Sequence, residues 1–137
     1  MAIEWTQDLA VGISEIDNQH QEIFRKINNL LEACNVGKGK LAVGEVIDFL
    51  GNYVVEHFGA EEKYMQEYNY PDYPLHKQMH DDFVKRFKEL KEDYEKNGVA
   101  VNLVIQTNKF VVRWLNEHIR NVDKKLGIFL KEKGFTA

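Results

Sequence analysis

All five histidines of this chain fall on the apolar stripe of a segment with helical period, and none is left over for the surface. His20 stands alone, His57 is followed by Glu61, His76 by His80, and His118 by Asp123. One histidine on such a face is more often a hydrogen-bonded core residue than a ligand. Five imidazoles and two acids sent into one core are a different matter. A buried carboxylate is expensive to ionise without a cation, and no inner-stripe Arg or Lys offers itself as a partner for Glu61 or Asp123. The pattern points to a metal site.

The stripes also predict the fold. Residues 1–13 hold Trp5 without a helical period and read as an extended arm laid over the rest. A first helix is expected over about 14–36, with Ser14 or Asp17 as N-cap and Ile16, His20, Ile23, Phe24, Ile27, Leu30, Leu31 and Cys34 inward. Gly37-Lys38-Gly39 ends it. A second, over about 41–68, carries Val43, Val46, Ile47, Leu50, Val54, His57, Glu61 and Tyr64 on one face. Gly51 and Gly59 interrupt it at a cost of about 1 kcal/mol each, which suggests close packing at both.

Tyr70-Pro71-Asp72-Tyr73-Pro74 is a rigid turn, because each proline disfavours helix in the residue before it. A third helix, about 74–96, points His76, His80, Phe83, Phe87, Leu90 and Tyr94 inward and stops at Asn97-Gly98. A fourth, about 101–126, carries Val104, Val111, Trp114, Leu115, His118 and Val122. Ile128, Phe129, Leu130 and Phe135 form a short apolar tail against the bundle end. The expected fold is all-α: one domain over 1–137, an antiparallel up-down-up-down four-helix bundle. With alternating direction, every histidine position falls toward the same end of that bundle.

Spacing then supplies chemistry. Residues four apart on a helix are neighbours, so His76 and His80 can chelate one ion, and His57 and Glu61 can present a nitrogen and an oxygen together. His118 and Asp123 are five apart, which rotates them about 140° on an ideal helix. Either the helix widens as at a π-bulge, or Asp123 reaches back from a distorted turn. Imidazoles favour iron, copper, zinc or nickel over calcium and magnesium. Seven donors exceed the four of a structural zinc site and suit two six-coordinate ions that share carboxylates.

Composition excludes several classes. With 18 basic against 22 acidic residues the chain carries a net charge of −4, without the basic patch that nucleic-acid binding requires. No apolar run approaches the roughly 20 residues of a membrane span, and the N-terminal residues lack the features of a secretory signal. The single cysteine, Cys34, allows no internal disulfide and reads as a small buried apolar residue; a cytoplasmic location is expected.

The set His20, His57-x-x-x-Glu61, His76-x-x-x-His80 and His118-x-x-x-x-Asp123 resembles the hemerythrin family, and single-domain bacterial members in particular. The likeness extends to the arm with Trp5, to the Gly-Ile-x-x-Ile-Asp-x-Gln-His entry of the first helix, to His57-Phe58 and to Trp114-Leu115-x-x-His118-Ile119. It implies two iron ions in a non-haem di-iron centre with an oxo or hydroxo bridge. His76, His80 and His118 would bind one iron and His20 and His57 the other, with Glu61 and Asp123 bridging. The second iron would keep one position open for dioxygen, walled by Leu115, Ile119, Trp114 and Phe58, side chains that are otherwise ordinary core.

The resemblance implies reversible dioxygen binding for transport, storage or delivery, by a monomer that serves an oxygen-consuming enzyme and is not an enzyme itself. Two other classes stand beside it: an oxygen or iron sensor acting through a partner, and a di-iron enzyme handling peroxide or nitric oxide. Ferritin-like di-iron enzymes use more carboxylates and Glu-x-x-His pairs, a motif missing here. A sensor would usually carry a fused output domain.

Overall fold

A computed structural model of the chain describes residues 4–35, 40–98 and 107–134, with side chains over 4–33, 44–98 and 110–134. The expectations for Cys34, Gly37-Lys38-Gly39, Val43, Val104 and Phe135 fall outside these. Helix α1 spans Ser14–Asn35, α2 Lys40–Glu67 and α3 Tyr73–Asn97. The fourth segment runs unbroken through a π-helix (Thr107–Val112), α4 (Arg113–His118), a second π-helix (Ile119–Asp123) and α5 (Lys124–Glu132). No strand occurs among the described residues, and none of their helices is long and apolar enough to cross a membrane. The architecture is a four-helix bundle.

The stripes read from the sequence are the ones that pack. Ile16, Ile23, Phe24, Ile27, Leu30 and Leu31 of α1 meet Ile47, Leu50 and Val54 of α2, and Phe83, Phe87, Leu90 and Tyr94 of α3, in one buried core. Val111, Leu115 and Ile119 complete it from the fourth segment. Val46, Tyr64 and Trp114 are half-buried at its margin, Val122 is half-buried, and Phe58 and Met65 add a second buried file on α2. Gly98 ends α3 with a positive φ of 76°, and its N–H bonds to the Tyr94 carbonyl, as a helix-stopping glycine should.

Two expectations need correction at the chain ends. The apolar tail is not a separate tail: residues through Glu132 continue the helix, burying Leu126 and Leu130 while Ile128 faces solvent at 61% exposure. Helical period puts 126 and 130 on the core side and 128 opposite. The arm, in turn, is more than a cover. Gln7–Leu9 makes a turn of 3₁₀ helix, and Leu9, Val11 and Ile13 are buried in the core itself. Ser14 is the first helical residue rather than a cap. Asp17, inside the first turn, accepts the N–H groups of Val11 (2.8 Å) and Gly12 (3.2 Å) and so pins the arm to α1.

Glycines decide how closely these parts approach. A Cβ at Gly51 would stand 2.8 Å from the Phe87 ring, so α2 and α3 do pack tightly there. Gly59 is different: a Cβ there meets nothing within 4 Å, and close packing is not its role. It opens a groove of about 310 Å³ beside Phe58, Glu62 and His80. At Gly127 a Cβ would lie 2.2 Å from the Val11 carbonyl oxygen, which is backbone and cannot swing aside. Gly127→Ala is therefore expected to push the arm off the bundle. The cost should be about 1–3 kcal/mol, in the range of overpacked cores, measured by chemical denaturation; an unchanged midpoint would show that the arm contributes nothing to stability.

Candidate metal centre

Each helix delivers its part of the site through a different local device. Four-residue spacing stacks His57 with Glu61 late in α2 and His76 with His80 at the start of α3. His20 comes from the early part of α1. For the fourth segment the chain takes the first of its two options. Ile119–Asp123 is a π-helix, with the Lys124 N–H bonded to the Ile119 carbonyl five residues back. The extra residue in that turn brings Asp123 around to the face of His118.

The seven side chains converge and are almost wholly removed from water: His20 and Glu61 are 0% exposed, and His118, the most open, 4%. They form two groups: Glu61, His76, His80, His118 and Asp123 in one, His20, His57, Glu61 and Asp123 in the other. Within each, the donor atoms lie within 4.8 Å of one another. Both acids belong to both groups, and they divide their oxygens between them. Glu61 Oε1 faces His80 Nε2 (3.1 Å) and His76 Nε2 (3.5 Å), while Oε2 faces His57 Nε2 (3.2 Å) and His20 Nε2 (3.6 Å). Asp123 Oδ1 faces His76 (3.1 Å) and His118 (3.2 Å), and Oδ2 faces His20 (3.0 Å).

These approaches are close without being hydrogen bonds of good geometry. Both oxygens of Glu61 and of Asp123, both ring nitrogens of His20, and Nε2 of His57 and His80 have no hydrogen-bond partner despite burial. The Nε2 atoms of His76 and His118 even face each other at 3.1 Å. Buried polar atoms are ordinarily paired. The orphaned atoms that face the cluster, His20 Nε2 with those of His57, His80, Glu61 and Asp123, fit a pair of cations.

Electrostatics agree. Burial alone pulls His20 and His76 down, but the close carboxylates of Asp123 and Glu61 outweigh it and raise both to about 9. His80 is likewise raised against its burial by Glu61 and Glu62, whereas His57 is lowered, burial prevailing over the pull of Glu61. Burial would raise both acids; the surrounding imidazoles instead hold Glu61 and Asp123 well below the usual carboxylate range. The pocket favours ionised acids and attracts positive charge.

Of the residues expected to wall the open position, Phe58 and Trp114 contact imidazoles of the cluster directly. Phe58 stacks on His80 (3.8 Å, 4°) and lies 5.8 Å from His57, and Trp114 stacks on His118 (4.3 Å, 12°). Both therefore pack chiefly against the five-donor group. Leu115 and Ile119 are buried on either side of His118 in sequence, 3% and 0% exposed. Tyr53 and Tyr64 sit half-buried at the margin of the core. Two residues carry contacts that helical period did not single out. Glu62 Oε2 lies 2.9 Å from His80 Nδ1, and Gln19 Oε1 2.6 Å from His57 Nδ1. In the sequence Glu62 is marked only by adjacency to Glu61, whereas Gln19 is a position of the Gly-Ile-x-x-Ile-Asp-x-Gln-His entry without a role read for it.

A family model for the hemerythrin HHE cation binding domain matches residues 11–127. The chain belongs to the hemerythrin family. Among its hemerythrin relatives, the bacteriohemerythrin of Stenotrophomonas maltophilia is 37% identical over 88% of this chain and 76% of that protein. That of Methylococcus capsulatus is 35% identical over 90% and 92%. A crystal structure of wild-type hemerythrin superimposes with a TM-score of 0.85 at 34% identity, covering 95% of this chain and 98% of that one. The family cofactor is a non-haem di-iron centre, and two donor groups that share two carboxylates fit it.

Proposed function

We propose that this hemerythrin domain binds dioxygen reversibly for transport, storage or delivery, with iron held by His76, His80, His118, Glu61 and Asp123 on one side and by His20, His57, Glu61 and Asp123 on the other. The observation that carries the reading is the division of oxygens by Glu61 and Asp123 between the two groups. Bound there, a pair of irons would supply the reversible two-electron chemistry that dioxygen binding and release require. The four-donor group is one ligand short of its neighbour, so the incoming molecule has its place beside His20 and His57.

The chain's own part is to keep that place dry and free of proton donors. Leu115 and Ile119 wall it with alkyl groups, which offer water no hydrogen bonds. Phe58 and Trp114 hold the opposite imidazoles flat against aromatic faces. No Lys or Arg reaches Glu61 or Asp123 among the described residues. Such a pocket favours holding dioxygen over activating it, which supports a carrier that serves an oxygen-consuming enzyme in the cytoplasm over a catalyst. The test is a visible spectrum of the reduced protein, taken without air, with air and after degassing: absorption should appear with air and vanish on degassing through repeated cycles.

Opening the wall should shorten the life of the bound state without emptying the site. Leu115→Ala or Ile119→Ala is expected to keep both irons, hasten decay of the oxygenated form at least about tenfold, equivalent to 1.4 kcal/mol, and admit azide to the oxidised site faster. Unchanged decay and azide rates in both variants would remove these residues from the wall.

A further inference from the structure

Two of the five imidazoles are held from behind by a side chain that does not enter the cluster. His80 turns Nε2 toward Glu61 and Nδ1 toward Glu62; His57 turns Nε2 toward Glu61 and Nδ1 toward Gln19. An imidazole that gives one nitrogen to a metal has only an N–H on the other, so in both pairs the ring donates and the oxygen accepts. The two acceptors are not equivalent. Gln19 offers a neutral amide oxygen and Glu62 an anionic one.

The difference lies on opposite sides of the centre, because His80 belongs to the five-donor group and His57 to the four-donor group. A carboxylate acceptor draws the N–H proton further from the ring and makes the metal-facing nitrogen the stronger donor. Little blunts the effect here. Glu62 is 21% exposed, and Lys77 Nζ stands 3.9 Å from its other oxygen while engaged by Asp81 at 3.1 Å. Stacking on Phe58 fixes the ring of His80 in the plane that the bond requires.

Resting on the di-iron reading above, we infer that Glu62 is a positioning residue that acts through His80 to favour the ferric state on the five-donor side, a bias that Gln19 does not give through His57. When a one-electron reductant such as dithionite reduces the oxidised pair, the first electron then goes to the four-donor iron, the one beside the incoming molecule. Glu62 thereby sets which iron is reduced first.

The test is an anaerobic redox titration of the iron-loaded protein with dithionite and mediator dyes, followed by visible absorption and with iron counted beforehand. Glu62→Gln keeps an acceptor of the same shape without the charge. It should retain two irons and shift the one-electron equilibrium of the five-donor iron toward ferrous about tenfold, or 59 mV for one electron. Glu62→Ala should shift it in the same direction and weaken iron retention by about 10–100-fold against a chelator. Gln19→Glu should stabilise ferric iron on the other side and narrow the gap between the two steps, which also keeps the inference testable if the Glu62 variants fold poorly. A purely structural Glu62 would be rescued by Gln in potential as well as retention. Titrations of Glu62→Gln and Gln19→Glu that superimpose on the parent's, with two irons in each, overturn the inference and leave the di-iron reading standing; fewer than two irons in the parent overturns both.

Discussion

Removing iron should lower the melting temperature by at least about 10 °C. Of the seven buried ionisable side chains, His20, His57, Glu61, His80 and Asp123 turn polar atoms that have no hydrogen-bond partner toward the cluster, and each unpaired buried polar group costs about 1–3 kcal/mol. Cations that bind only the folded chain add about 4 kcal/mol at a thousandfold excess over Kd, and each kcal/mol moves the midpoint of a domain of this size by about 3–5 °C. Protons substitute for iron only in part. The raised His20 and His76 can retain them beside Asp123 and Glu61, but His57 is pushed the other way. Melting followed by circular dichroism before chelation, after it and after iron is returned checks this. A midpoint unmoved by complete loss of iron would mean that the cluster is ordinary core.

The second large effect separates shared donors from private ones. Glu61→Ala should empty both sides, because its two oxygens face His80 and His76 on one and His57 and His20 on the other. Breaking a buried charged cluster in this way typically costs about 3–5 kcal/mol, so the variant should also be less stable. His20→Ala removes a donor from the four-donor group alone and should leave a protein with one iron. Iron content by elemental analysis distinguishes the two. Equal iron in both variants would contradict the division of the oxygens.

The legibility of this centre in the sequence depended on period. His57 with Glu61 and His76 with His80 are stacked by the α-helix itself, and the alternating directions of the helices put them at one height. His118 with Asp123 could not be resolved, because an α-helical period turns the two apart; the π-helix over Ile119–Asp123 is a backbone choice that spacing does not encode. The roles of Glu62 and of Gln19, the latter quoted only as part of a motif, escaped for a related reason. Their contacts with His80 and His57 run behind the rings, where no stripe reports them. At the C-terminal end, Leu126 and Leu130 have helical spacing, yet the expected fourth helix stops at about 126 and Leu130 belongs to the expected tail. The structure continues the helix through Gly127, where a side chain would meet the Val11 carbonyl of the arm.

The most direct measurement of the central claim is iron and dioxygen counted in the same sample. The purified, reduced protein is assayed for metal and then titrated with dioxygen in a closed cell before degassing. Two donor groups that share Glu61 and Asp123, one of them a ligand short, predict two irons and one dioxygen per chain, with the dioxygen recovered on degassing. A single metal per chain, or two irons that take up no recoverable dioxygen, would contradict it.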